Sequence, residues 1–519
     1  DLSATVDNCR AIGCTLIGVK KVGAVVGYSA GSTVTNNYAE NCAVYYSEKE
    51  GAEILGYENT GSTVNNNTFT DVEVVNATVI LDADDLVYFA KSVNVDGETY
   101  AGKTVKLIAD IDLAGKLWIP VGQTQVSSFQ GTFDGQGHTI KNMTVNYTGT
   151  NSNYACGLFG WIELHNGAPI VIQNVKFDNA NVTGIKYTGV VAGYANGASG
   201  AEIKNCVVTN STVTSNSKNA GGIIGYMGKG VLTGNTVFGC TISAKYDVGG
   251  IANSVEPEPA VTFTKNKVEN TKIYYEEDQS YDAAGIFTGG KVVYRDDNNK
   301  TTFVPDSTNT NSNVTVNKLV AVSTAEELSA ALNKTYTEDT TVMLTKDITL
   351  TGEWGEHSLD GRNNANLTIN GNGHTITGLN KPLVAGNAAP DITIKDLTIN
   401  ASSIGIAAIE NGLGTAAFVS YMDANTSATF KNCHLVNSSV TGNERAAALV
   451  SFTSCSTLTI EDCSVENCEI KAVGGAGGLV GYSQNAATIK NSSVKNTSVT
   501  STEDREGTKT PVAGGVIGT

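Results

Sequence analysis

The apolar positions of this chain fall in short alternating runs broken by Asn, Asp or Gly, and the runs recur about every thirty residues. The first apolar residue of one such run stands at Ile172, Ile203, Leu232 and Phe263, at steps of 31, 29 and 31. Further on it stands at Ile394, Phe430, Ile460 and Ile489, at steps of 36, 30 and 29. Near the start it stands at Val6, Val34 and Val64, at steps of 28 and 30. Alternation with a period of two predicts strands, and a fixed longer period predicts a solenoid in which like positions stack.

A glycine-rich run precedes many of these patches, as GLFGW at residues 157–161, GGIIGY at 221–226 and GGLVGY at 477–482. Within one unit three short strands are expected: on GGIIGY, around Leu232, and over residues 238–243. Gly and Asn mark the corners, where positive φ is often required. No helical periodicity separates these strands, so each coil returns above itself and the stack makes three parallel sheets with apolar ladders inside. The expected fold is all-β, a right-handed parallel β-helix of roughly 15–17 coils.

Two longer segments interrupt the small repeat and match each other. One starts with DDLVYFAKSV and ends in TFDGQGHTIKNMTV; the other starts with STAEELSAALN and ends in LTINGNGHTITGL. Asp110 matches Asp347 and His138 matches His374, 237 and 236 residues on. The helical starts carry capping signals, Asp82 with Asp85, and Ser323 or Thr324 with Glu326 or Glu327. A short amphipathic helix ahead of a strand stack reads as a cap over its open edge. The chain therefore divides near Val79 and Lys318. Residues 1–78 read as the C-terminal part of one module, 79–318 as a complete module with its capping helix, and 319–519 as a module truncated at its end. The acidic, Asn-rich stretch 294–317 reads as a linker or long loop.

Composition narrows the function classes. Only 8 prolines suits long ladders that need backbone donors. A formal charge of −17, from 34 basic and 51 acidic residues, repels phosphate backbones and argues against nucleic acid. No apolar run approaches the ~20 residues of a membrane-spanning helix. The chain begins at Asp1 without Met or signal peptide, and reads as a processed or excised segment. Among the 10 cysteines, Cys9, Cys206, Cys433 and Cys463 share one repeat position, which reads as a ladder of small buried side chains. The spacing of Cys9/Cys14 and of Cys463/Cys468 leaves a local disulfide open as the sharper reading. No C-x2-C pair occurs and the 5 histidines are scattered, so no zinc site is assigned.

The repeated glycine-rich motif, the I-x-N-C patch after it, and the longer run FQGTFDGQGHTI at residues 129–140 resemble the GLUG-motif repeat proteins of bacterial surfaces. The resemblance covers most of the chain. It implies a right-handed parallel β-helix, exported to the cell surface or secreted, often within a large adhesin-like protein and without a catalytic centre in the repeats. Residues 249–254, ending in Asn-Ser, and 416–421, without the glycines, depart from the pattern, and distorted coils or loops are expected there.

Candidate chemistry is sparse. The G-x-G at residues 135–137 and 371–373 reads as a corner turn, because a strand and not a helix follows it. His138 and His374 read as structural hydrogen-bonding groups. The aromatic after the motif recurs as Tyr28, Tyr57, Trp161, Tyr194, Tyr226 and Tyr482. Stacked one coil apart, these would form a strip, and Trp161, Tyr194 and Tyr226 are its candidate ligand-binding residues, since sugars stack on aromatic rings. Packing over the neighbouring glycines is the blander reading and carries more weight. Acidic clusters at 276–278 with Asp282, at 296–297 and at 82–85 read as solvated surface rather than calcium or glycosidase sites. No catalytic, cofactor-binding or metal residue is assigned. The expected function is a non-enzymatic extracellular stalk, adhesin or fibre component, whose partner is a surface glycan or protein, with end-to-end self-association. The alternative is a carbohydrate-active β-helix enzyme, a polysaccharide lyase or glycoside hydrolase. A weaker third reading is a scaffold domain of a larger secreted peptidase.

Overall fold

A computed structural model describes residues 3–48, 57–58, 61–124, 127–151, 153–164, 170–197, 200–255, 261–276, 291–295, 301–305, 308–336, 339–359, 365–387, 391–405, 414–424, 426–502 and 511–519. For residues 57–58, 164, 197, 246, 253–255, 291–295 and 301–305 it describes the backbone alone. The fold is a parallel β-solenoid of about 14 turns with two helices, and strands make up 55% of it. The turn count falls below the expected one because helices and wide connections use chain that the repeat arithmetic assigned to coils. The chain forms two compact units, Asp1–Val316 and Asn317–Thr519.

In the first unit the positions picked out by periodicity lie in one parallel register, Ile172 on Ile203, Leu232 and Phe263. A second ladder runs Phe177, Val208, Val237 and Val268. A third runs Val182, Val213, Ile242 and Ile273. All twelve side chains are buried, and together they form the apolar interior. Further strands carry the glycine-rich motif, with Trp161 beside Tyr194 and Tyr194 beside Tyr226. In the coil with GGIIGY the strands are Ile224–Met227, Gly230–Thr233, Thr236–Phe238 and Thr241–Gly249. The run expected over 238–243 thus divides at Gly239, whose φ is +66°. Val6, Val34 and Val64 pair in the same parallel manner near the start.

The corners explain the I-x-N-C patch. Asn174 and Asn205 adopt φ of +55° and +54°, a region that Asn tolerates because its short amide bonds locally. The residue after the bend turns inward, as Cys206, Asn235, Asn266 and Asn309 do. Its side chain accepts the N–H of the equivalent residue one coil earlier. Cys206 N donates to Asn235 Oδ1 at 3.0 Å, Asn235 N to Asn266 Oδ1 at 3.1 Å, and Asn266 N to Asn309 Oδ1 at 2.8 Å. Each amide nitrogen returns a bond: Asn235 to Ile203 O, Asn266 to Leu232 O, Asn309 to Phe263 O. The ladder pairs backbone groups that the bend would otherwise leave buried and unsatisfied.

In the second unit Ile394, Phe430, Ile460 and Ile489 share one register. Here the residue after the corner is Cys433, Cys463 or Ser492. Cys433 N donates to Cys463 Sγ at 3.4 Å, and Cys463 N to Ser492 Oγ at 3.1 Å. All ten cysteines are free. Cys463 and Cys468 are unbridged because each belongs to its own corner, with its thiol on a carbonyl of the preceding coil, Phe430 O and Leu435 O. Cys206, Cys433 and Cys463 are buried as the ladder reading expects, whereas Cys9 is exposed. The coil lacking glycines keeps its register: Val419–Met422 pairs with strands on both sides. Ser420 stands in for glycine there, and its hydroxyl accepts Ala416 N at 3.1 Å.

The two helices are α1, Ala83–Asn94, and α2, Ala325–Asn333. Helix α1 buries Leu86, Phe89, Ala90 and Val93, and α2 buries Leu328, Ala331 and Leu332. Asp82 caps α1 by accepting from Asp84 N and Asp85 N. Thr324, and not Ser323, caps α2 by accepting Glu327 N; Glu327 returns its carboxylate to Ser323 N at 2.7 Å. Where a linker was expected, Lys291–Arg295 pairs antiparallel with Thr301–Pro305, and Thr310–Ser312 joins the coil sheet.

Candidate functional site

The two capping regions hold matching clamps. Asp110 Oδ1 accepts Thr139 N at 2.9 Å and lies 3.4 Å from His138 Nδ1. Asp347 Oδ1 accepts Thr375 N at 2.9 Å and lies 3.2 Å from His374 Nδ1. Both carboxyls are held below their ordinary pKa, Asp110 chiefly by the Thr139 amide and Asp347 chiefly by that of Thr375. Each histidine therefore lies on an aspartate already committed to the backbone of its own turn.

The aromatic strip is a ladder of rings. Trp161 and Tyr194 have centroids 4.1 Å apart, and Tyr194 and Tyr226 stack at 5.1 Å and 15°. Tyr187 closes edge-on against Trp161 and Tyr194, at 72° and 68°. Trp161 is only 8% exposed, and its indole N–H donates to Asn153 O at 2.7 Å. The Tyr194 hydroxyl receives Asn196 Nδ2 at 3.1 Å. Because the rings face one another along the stack, outside groups meet edges and polar tips more than open faces.

The glycine just before each aromatic has a steric cause. A Cβ on Gly225 would stand 2.7 Å from Asn219 O, and one on Gly27 would stand 2.7 Å from Lys21 O. The chain crosses back at that point, which brings the residue seven before the aromatic onto the ladder. Tyr187 packs there, Lys21 Nζ lies 4.3 Å from the Tyr28 ring centre, and Arg445 lies 5.0 Å from Phe452 and 4.8 Å from Tyr482. Tyr28 is exposed and pairs in register with Tyr57.

A second ladder in the other unit joins Tyr421, Phe452 and Tyr482, stacked at 5.6 Å and 5.3 Å with ring planes 9° and 0° apart. Sequence reasoning included Tyr482 and missed Tyr421 and Phe452. Serine replaces the marker glycine before both, although their phase in the repeat was readable. Of the acidic clusters, Asp82 and Asp85 serve the α1 cap. Residues 277–278, Asp282 and 296–297 lie outside the described residues. Among the described residues, no three His, Cys, Asp or Glu side chains converge as a metal site.

The stacked coils define a parallel β-helix repeat protein. Residues 319–441 match the family described as "Putative pectate lyase-like adhesive domain". Over 141 residues the chain is 33% identical to Halomucin of Haloquadratum walsbyi, an overlap that spans 25% of this chain and 1% of that protein. Among solved structures it is similar to a "putative immunoglobulin A1 protease" from Bacteroides ovatus, at 17% identity and a TM-score of 0.30, over 62% of this chain and 77% of the other. It is also similar to the PL6 family alginate lyase AlyGC, at 10% identity and a TM-score of 0.23, over 94% and 74%. Neither likeness bears on activity.

Proposed function

We propose that this chain is a non-catalytic extracellular solenoid, an adhesin-like stalk or fibre segment. The observation that carries the reading is the match of residues 319–441 to an adhesive domain. The GLUG-like motif and the run at residues 129–140 support a place at a cell surface. No helix among the described residues is long and apolar enough to cross a membrane. In this reading 1–78, 79–318 and 319–519 are successive display modules, and copies of the chain self-associate end to end. Trp161, Tyr194 and Tyr226 form the contact strip, and the partner is a surface glycan or protein that meets ring edges and hydroxyls.

The test is a glycan and surface-protein array probed with the purified chain, with and without calcium, beside Trp161→Ala and Tyr194→Phe. Selective binding is expected, about tenfold weaker in Trp161→Ala and measurably weaker in Tyr194→Phe, which keeps the packing and loses the hydroxyl. Binding that neither variant changes would remove the strip from the reading. Absence of binding would leave a purely structural stalk. Cleavage of any arrayed glycan would overturn the non-catalytic reading.

A further inference from the structure

The outer face of the first cap carries an apolar patch that the cap's own folding does not require. The 3.6-residue period places Asp84, Val87, Tyr88 and Lys91 on one stripe of α1, opposite the buried Leu86, Phe89, Ala90 and Val93. Val87 and Tyr88 are exposed, Tyr88 at 67%, and Leu81 and Val95 are exposed just before and just after the helix. Beside α1 runs the segment that follows strand Ile111–Asp112. It is held at the start of the helix by the Lys116–Asp84 ion pair, and at its end by Asn94 Nδ2, which donates to Pro120 O at 2.9 Å. Leu117 and Ile119 on that segment are also exposed.

The second cap, built on the same plan, lacks this patch. Counted from the N-caps Asp82 and Thr324, Val87 and Tyr88 correspond to Ser329 and Ala330. The neighbouring segments align on their tryptophans. Trp118 Nε1 donates to Leu158 O at 3.1 Å, and Trp354 Nε1 donates to Leu383 O at 3.3 Å. Leu117 and Ile119 then correspond to Glu353 and Gly355. The plan folds with small or polar residues at all four places, so folding does not account for the large apolar ones. Contiguous exposed apolar surface of this kind marks a contact with another protein.

We propose that this patch is an interface with a second copy of the chain, in which two α1 helices pack antiparallel about a two-fold axis. A two-fold contact needs one surface that complements itself. The stripe does so in a single register. With Val87 against Tyr88 of the second copy, Asp84 falls against Lys91 of that copy, and both pairs recur across the axis. The same register brings Leu81 of one copy close to Val95 of the other. Apolar groups thus fall at the centre and the ends, with opposite charges between them. Asp84 already holds Lys116, but a carboxylate accepts from more than one donor, and Lys91 forms no ion pair with a described residue. The charge of −17 repels like copies at long range, which physiological salt screens, so the contact depends on its apolar centre. The patch falls short of the roughly 20–30 residues a side of a standard interface, so the dimer is weak and depends on concentration. The proposal goes beyond end-to-end association, uses a different surface and does not depend on the aromatic strip.

The test is sedimentation of the full chain in physiological salt over a wide range of concentration. Concentration-dependent association is expected. Val87→Ser with Tyr88→Ala copies the second cap, and should weaken association at least about tenfold while the thermal melt stays that of the parent. Lys91→Glu alone and Asp84→Lys alone each set like charges together twice, and each should weaken it about fivefold. An equimolar mixture of those two variants should recover association to within about twofold of the parent, because both pairs then join unlike charges. A parent that stays monomeric throughout would overturn the proposal and leave the patch to a different protein. Association indifferent to the double variant, whether it stops at a dimer or grows as an open series, would place the contact elsewhere and overturn it too. So would a mixture that fails to recover what both charge variants lose, since the antiparallel register would then be wrong.

Discussion

The two capping regions share one plan and fill it differently. Both start with a side-chain N-cap, clamp a later turn by aspartate and histidine, and hang a tryptophan N–H on a carbonyl of the glycine-rich motif or its equivalent. Under α1 the plan is packed with rings: Phe89 meets Tyr100 at 5.1 Å, Phe129 at 5.6 Å and Phe133 at 6.0 Å. Under α2 the core is chiefly aliphatic, with Leu328, Leu332, Val342 and Leu344 buried. The outer faces diverge further. Val87 and Tyr88 are exposed on α1 and Val95 just after it, with Leu117 and Ile119 exposed on the segment that Lys116 and Pro120 tie to it. No large apolar side chain of α2 is exposed. The comparison teaches that backbone-satisfying groups are constrained by the fold, whereas core filling and surface charge vary around them.

The largest expected effect separates the cores. Phe89→Ala should cost about 4 kcal/mol, because it leaves a cavity among rings that cannot all collapse inward, and Leu328→Ala about 3 kcal/mol. Peptide-resolved hydrogen exchange should show each loss confined to its own cap and adjoining coils, as nearest-neighbour stability requires. Losses that spread evenly through both units would break the comparison.

A smaller effect separates the corner ladders. Asn266→Ala removes the acceptor of Asn235 N and the donor to Leu232 O, and should cost about 2 kcal/mol in chemical denaturation. Cys463→Ala removes a weaker sulfur acceptor and should cost about 1 kcal/mol. Equal costs would mean that shape, rather than hydrogen bonding, decides that position.

The smallest effect sharpens what the caps share. Asp110 and Asp347 have folded pKa values below their unfolded ones, so each clamp contributes fully above about pH 3.9. The contribution is lost as pH falls through the depressed folded values. Asp110→Asn and Asp347→Asn should each flatten the acid limb of a stability–pH curve, and by similar amounts. A flattening in one alone would show that the clamps are not equivalent.

Much of this architecture was legible in the residues. Ile172, Ile203, Leu232 and Phe263 stand in register because alternation and a fixed corner leave each coil one way to bury its apolar face. The matched Asp110–His138 and Asp347–His374 pairs could be aligned before any contact was known. The ladder of Tyr421 and Phe452 was hidden because serine took the place of the glycine that marked the other copies. Lys21, Tyr187 and Arg445 lie on their ladders through a chain crossing that no local pattern records.

The corner ladders also bear on how such a chain carries load. Their bonds run from coil to coil, parallel to those of the sheets, so tension along a unit would be shared by every bond across one interface at once. Tension on a strand end would instead peel a coil open bond by bond. A segment built this way resists being stretched far better than being unzipped, which suits a tether.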